Sequence, residues 1–455
     1  MKLITRRSFC RTLALPAGAL VLGSALPAGA KKKKPQDKPS APAQHDAAQA
    51  EFSSKVLWEF DAMDAGQNRK SLVCAYKGNA YKIFLLPGYK TMIAKIPLDG
   101  GAVQTAPLMP GHVTGSDPHR YYAVAVDSEG YIHVSGDMHS SAHVKHWSSK
   151  KPEDISEFVF TSDLGGNKRP QGFKVTYPRF YKSPDGVLYH SIRCADPVWG
   201  IGISVLDVKT QTWAMLGADV PAAALGEKRA RKARGNLMTA WEDNGEGGNF
   251  GYTQPHAHIT WDKKKRMHLV LGLLNENTPS AAYGHTGSDV LYAYSDDGGK
   301  TFRRGDGSQI QLPMRAEAGP YQADVVYSRH DGRPPWVGLN PAVTIDEKNR
   351  PVIRAFDHKT GWHRLVLENG KWSEQTKSAD VTPTAGIAKA EGDDDDPEMV
   401  ELSQLNLPHK IMFLDKEYFR DTGKLLYQAQ VPDKLKHSRI KIVLATPVQS
   451  QKSDR

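Results

Sequence analysis

From about Glu51 onward the apolar residues fall into short runs, each closed by a cluster of turn formers. One unit recurs: an apolar strand ending in Asp, a polar turn, then a second apolar strand. It is read in YYAVAVDSEGYIHVSG (121–136), PRFYKSPDGVLYHSIR (178–193), AHITWDKKKRMHLVLG (257–272) and PAVTIDEKNRPVIRAF (341–356). An Asp that opens a tight turn, closed by Gly, Lys or Asn, is hairpin chemistry. Helical periodicity is nearly absent, and only Lys228 to Met238 suggests a short helix. The spacing between units is irregular, yet each fits about one four-stranded blade. The pattern therefore predicts an all-β fold, a seven-bladed β-propeller; a β-sandwich or a parallel β-helix is the structural alternative. YSDDGGKTF (294–302) points the same way. Its Ser295, Asp297, Gly299, Thr301 and Phe302 match the Asp-box pattern S-x-D-x-G-x-T-[FW], which marks blade turns through side-chain bonds to the local backbone.

Composition adds a core and a compartment. Hydrophobic residues make up 39% of the 455 positions, with nine Trp and seventeen Tyr, enough for one large β domain. The N-terminus reads as a targeting segment: Arg6-Arg7 is a twin arginine, Leu13 to Leu26 an apolar stretch, and Ala28-Gly29-Ala30 a cleavage site. That stretch is too short and too broken by Pro and Gly to span a bilayer. The expected organisation is an export signal at 1–30, a flexible leader at 31–50, one β-propeller catalytic domain at 51–446 and a disordered tail at 447–455. The expected location is periplasmic or secreted, with no membrane contact after cleavage, and the expected state is a monomer. Loss of Lys2, Arg6, Arg7 and Arg11 takes the net charge from +10 to +6, and Lys31 to Lys34 supply much of what remains. So mild a basicity gives weak support for an anionic partner and none for nucleic acid. Of three cysteines only Cys74 and Cys194 stay in the mature chain, which is no disulfide framework. EGDDDDPEM (391–399) reads as a solvated acidic loop, with a calcium site as the alternative.

The candidate chemistry lies between His119 and Arg193. His119 and His139 fall at strand ends beside turns; Tyr177 and Arg193 bracket one hairpin, whose two ends return to the same side of the sheet. This His/Tyr/Arg set shows no paired catalytic carboxylate, whereas glycoside hydrolysis generally needs two carboxylates flanking the bond. β-Elimination of a uronate polysaccharide needs a cation to neutralise the carboxylate, a base for the α-proton and an acid for the departing oxygen. Arginine suits the first role by its bidentate, permanently charged fork. His and Tyr suit the others.

DPHRYYAVAVDSEGYIHVSGDMH, TYPRF and the Arg193 hairpin together resemble the BNR-repeat family of seven-bladed propellers that holds the ulvan lyases, polysaccharide lyase families twenty-four and twenty-five. The likeness runs from about Lys55 to Tyr427, with 119–193 its most specific part. It implies cleavage of a uronic acid next to a sulfated rhamnose, with Arg193 neutralising the carboxylate and Tyr177, His119 and His139 supplying base and acid. The chain departs from typical members at Cys194-Ala195-Asp196-Pro197. His256, His258 and His268 lie on one hairpin, which makes a zinc site plausible. Some relatives hold a structural zinc there by His and Cys, so the resemblance adds Cys194 or Asp196 as a fourth ligand. Asn236, Tyr252 and His143 are candidate substrate contacts, with His146 and Trp147 as further lining residues. A glycoside hydrolase or sialidase on the same fold, and a non-catalytic glycan-binding propeller, are the competing functions.

Overall fold

Turn chemistry sets the hairpins. In the computed structural model, one Oδ of Asp127 accepts the backbone N–H groups of Glu129 and Tyr131 at 3.0 and 2.9 Å. Asp262 does the same for Lys264 and Arg266, and Asp346 accepts from Arg350. In the 178–193 unit the turn is opened by Ser183, not by an Asp: its Oγ accepts from Val187 N–H at 3.1 Å. The Asp box is formed as its pattern predicts. Ser295 Oγ accepts from Gly299 N–H, Asp297 accepts from both the amide and hydroxyl of Thr301, and Phe302 is fully buried.

The structure describes residues 52–448 except 63–67, 69–70, 163, 165–173, 196–199, 219–236, 240, 243–248, 251, 254–256, 277–284, 316–318, 330–340, 358–360, 376–406, 410 and 433–437. Their regular secondary structure is almost wholly β. Strand β1 (Phe52–Ala62) pairs antiparallel with Ser438–Pro447, which continues through Leu425–Pro432 to Ile411–Leu414. The first and last described strands thus share one sheet. Next come two four-stranded meanders: β2 (Val73–Tyr76), β3 (Asn79–Leu86), β4 (Lys90–Pro97) and β5 (Gln104–Pro107), then β6 (Tyr122–Val126), β7 (Ile132–Gly136), β8 (His146–Ser149) and β9 (Phe158–Thr161). A five-stranded sheet holds β10 (Lys174–Lys182), β11 (Leu188–Ala195), β12 (Gly200–Asp207) and β13 (Thr212–Met215), with Met238–Thr239 added to β12. A seven-stranded sheet spans residues 252–329, and a four-stranded one Ala342–Glu374. Meanders of this kind are what blades require.

Neighbouring sheets pack face to face in chain order. Ile83, Ile93, Tyr122 and Val134 join the second sheet to the third; Ala123, Ala125, Phe180 and Leu188 join the third to the fourth. Tyr189, Ile203, Leu269 and Leu291 carry the packing onward, and Val270, Tyr292, Val343 and Ile353 carry it to the sheet after that. Such sandwiching buries inner strands on both faces. The alternation of β7, Ile132-His133-Val134-Ser135, is therefore not apolar-in, polar-out, because all four side chains are buried. Its polar half is satisfied within the protein. His133 Nε2–H donates to Asp127 (3.2 Å), leaving Nδ1 to accept from His146 Nε2–H (3.1 Å), and Ser135 Oγ accepts from His190 Nε2–H at 2.9 Å while donating to Lys145 O. The last residue of the strand, Gly136, lies so close to Tyr122 that a Cβ there would overlap the Tyr122 ring.

Two expectations are corrected. Met238 lies in a strand and not a helix, while 228–236 fall outside the described residues. A helix does form at α1 (Lys416–Thr422), N-capped by Asp415 and closed by Gly423 at φ 68°. Seven residues are too few to show a helical period in sequence. Pro447, assigned to the disordered tail, still pairs with Phe52. The acidic loop 391–399 lies outside the described residues.

Burial of histidines ties stability to pH. Burial pushes the His268 imidazole down to about 4, with Asp262 offsetting only part of that. The unfolded chain takes up this proton near 6.5 and the folded chain does not until about 4, so stability falls as pH falls through that window. The loss attributable to His268 is about 3 kcal/mol. Urea unfolding of the parent and of His268→Asn at pH 7 and pH 4.5 measures it. The parent is expected to lose more stability than the variant, and equal losses would remove the assignment.

Candidate functional site

The four side chains singled out between His119 and Arg193 converge, and backbone bonds between two sheets bring them together. After β7 the chain turns through Asp137 and Ser140, both at φ 52°. Ser141 then exchanges backbone bonds with Val175 on β10, and Ser140 N–H donates to Thr176 Oγ1 at 2.9 Å. His139 is thereby held against β10, where Thr176 pairs with Arg193. The register then slips, and pairing resumes at Arg179 opposite Ser191. Tyr177 sits in that bulge at φ 60°, a left-handed backbone that is unfavourable for an aromatic residue. A bulge re-aims a side chain, as bulges beside functional sites commonly do.

The Arg193 guanidinium carbon lies 4.3 Å from the centre of the Tyr177 ring, and Arg193 is only 4% exposed. Buried Tyr121 stacks on the same ring at 6.0 Å. His119 meets Tyr177 edge-on at 6.0 Å, and the His119 and His139 rings are 4.3 Å apart. Both imidazoles are about a third exposed, at 39% and 34%.

Asp117 had no role in the sequence reading, which found no paired carboxylate in this set. Its Oδ1 accepts the backbone N–H of His119 at 2.9 Å and His119 Nδ1–H at 2.6 Å, and its Oδ2 accepts His139 Nδ1–H. Partial burial pushes the carboxyl up, but the His119 amide and the two imidazoles outweigh it and hold Asp117 well below the usual carboxylate range. The signal was in the stretch itself: an Asp two residues before a His, across a Pro, is placed to bond that residue's backbone N–H. Its reach to His139 is a tertiary contact. Among the described residues, Asp117, His119 and His139 are the one group of three or more His, Cys, Asp or Glu whose ligand atoms all lie within 4.8 Å of one another, so they could hold a metal ion.

A second carboxylate is close in sequence. Asp137, buried, pairs with Arg120 at 3.1 Å and with Lys145, both of which are partly exposed. Arg120, Lys145 and Arg193 against Asp117 and Asp137 give this region a positive balance.

The remaining candidates are dispersed. His143 is exposed on the loop after His139. His146 and Trp147 are core residues and line no open site: sandwiching buries both, and burial pushes the His146 imidazole well down. Asn236 and His256 lie outside the described residues, and Tyr252 is on a short strand pairing with Leu274. Of the proposed zinc set, His258, His268 and Cys194 are among the described residues. His258 is half-buried on its strand, whereas His268 is buried with Nδ1 bonded to the Tyr292 hydroxyl at 2.7 Å. Cys194 is in another sheet, among Met138, Val144, Val175 and Ile192.

A family model described as "BNR repeat-containing family member" matches residues 86–379. Among solved structures, the chain is similar to the polysaccharide lyase Uly1, at 14% identity and TM-score 0.53, over 87% of this chain and 97% of that one. It is also similar to an ulvan lyase of family PL25, at 15% identity and TM-score 0.48, over 72% and 74% of the two chains. No curated protein sequence matches.

Arg193 lies over the ring of Tyr177, which a Phe would keep. Tyr177→Phe is therefore expected to stay within about 0.5 kcal/mol of the parent in unfolding free energy, and Tyr177→Ser to lose about 2 kcal/mol. Denaturant titration distinguishes them; equal losses would assign the contact to the hydroxyl.

Proposed function

This chain belongs to the BNR repeat-containing family, and from that premise we propose that it is an exported polysaccharide lyase acting on a uronate-containing, sulfated, ulvan-like glycan. The observation that carries this reading is the convergence of a nearly buried arginine with a phenol and two imidazoles. Arg193 takes the uronate carboxylate, and neutralising it acidifies the α-proton. One of the His/Tyr groups removes that proton. The electron pair left behind forms the carbon–carbon double bond as the adjacent carbon–oxygen bond breaks, and another of these groups protonates the departing glycosidic oxygen. Arg120 and Lys145 add to the positive balance that favours an anionic chain.

Hydrolysis fits less well. It calls for two carboxylates flanking the bond, and both carboxylates described here are engaged, Asp117 by two imidazoles and Asp137 by Arg120 and Lys145. The seven-bladed count, the twin-arginine export route and a periplasmic or secreted location belong to the same proposal. The likeness to Uly1 is one of fold.

Elimination creates a conjugated unsaturated uronate, so ultraviolet absorbance separates the chemistries. Incubation with ulvan, alginate, pectate, heparan and chondroitin is expected to raise absorbance on one of them. Arg193→Ala and Tyr177→Phe should each lower that rate by about 10²-fold or more. Reducing ends appearing with a flat ultraviolet trace would mean a hydrolase.

A further inference from the structure

We propose that Asp117 is a positioning residue that fixes the tautomer of both His119 and His139, presenting each Nε2 as a proton acceptor. This rests on the lyase reading of the same site. An ionised carboxylate only accepts hydrogen bonds. Asp117 receives Nδ1 of His119 on one oxygen at 2.6 Å and Nδ1 of His139 on the other. Each Nδ1 must then carry the hydrogen, and each neutral ring keeps a bare Nε2 on the edge away from Asp117. The carboxyl is held ionised by the same contacts together with the His119 amide.

Two consequences follow for the chemistry. Neither neutral imidazole has a hydrogen at Nε2 to give, so each enters the reaction as a proton acceptor, and only a ring that has already taken a proton can donate one. A histidine Nε2 is therefore in the form that takes the uronate α-proton. One carboxylate also serves two rings only 4.3 Å apart. It balances a single imidazolium, so the pair accepts one proton per turnover.

The test uses the full-length protein labelled with 15N-histidine, with ring signals assigned by His119→Gln and His139→Gln. In the parent both rings are expected in the Nδ1–H form. In Asp117→Asn the carboxamide can accept from one Nδ1–H but must donate to the other, so one ring is expected to switch to the Nε2–H form. The rate of elimination should fall about 10²-fold or more through kcat, with KM within about threefold and an altered pH–rate profile. Asp117→Glu, which keeps a two-oxygen acceptor, should restore the tautomers and part of the rate; Asp117→Ala should restore neither. Unchanged ring tautomers in Asp117→Asn would overturn the proposal. So would a stoichiometric divalent metal retained by the parent and lost from Asp117→Asn, because the three side chains would then be ligands. A parent that eliminates no glycan but shows the expected tautomer switch would overturn the lyase reading and leave the role of Asp117 in positioning the rings intact.

Discussion

Sheets stacked face to face leave inner strands no solvent side, and from that constraint most of the molecule follows. A polar group on such a strand is costly unless another group inside the protein bonds it. The chain meets the cost with local and cross-strand partners. Asp127 serves its own turn with one oxygen and His133 with the other, and the bond passes on to His146. Lys82, on β3 and fully buried, directs its amine at the carbonyls of Asn68 and Ser71, and burial pushes that ammonium well down from its ordinary range. Tyr122 bonds Thr114, Thr91 and His112 within the same interior.

The same constraint divides the histidines. Among those within strands, His133, His146, His190, His268 and His363 are buried and committed to structural bonds. Those beyond strand ends, His119 and His139, reach a region about a third open to solvent, where a carboxylate and not the core holds them. Residue type is identical in the two groups. For these histidines, the surroundings at the strand end leave the imidazole open to solvent and those within the strand do not.

Backbone irregularity concentrates at that boundary. Asp137, Ser140 and Tyr177 all adopt left-handed backbone within the segments that carry His139 and the Tyr177–Arg193 pair. Ordinary pairing would place Tyr177 opposite a β11 residue; the bulge after Thr176 sets it beneath Arg193 instead. The exchange of bonds between Ser141 and Val175 fixes the distance between the two sheets at this point. Rigid flanking strands thus carry a site made mostly of their ends.

Much of this was legible in the chain. The hairpin turns at Asp127, Asp262 and Asp346 and the Asp box are local, because each bond spans a few residues and the side chain meets its partner whatever lies beyond. Tyr177 and Arg193, sixteen positions apart, bracket one hairpin, so their proximity could also be read from sequence. What sequence could not give was contact between sheets. It showed His133 and Ser135 as the polar half of an alternating strand, and only the packing of neighbouring sheets buries them. It offered Trp147 and Cys194 as lining or ligand, and only their neighbours place them in the core. It contained Asp117 two residues before His119, yet the second bond, to His139, joins segments on either side of a whole hairpin. Short-range electrostatics and turn geometry are written in the order of residues. The union of one carboxylate with two histidines, a tyrosine and an arginine is decided where separate sheets meet, because only packing sets those distances.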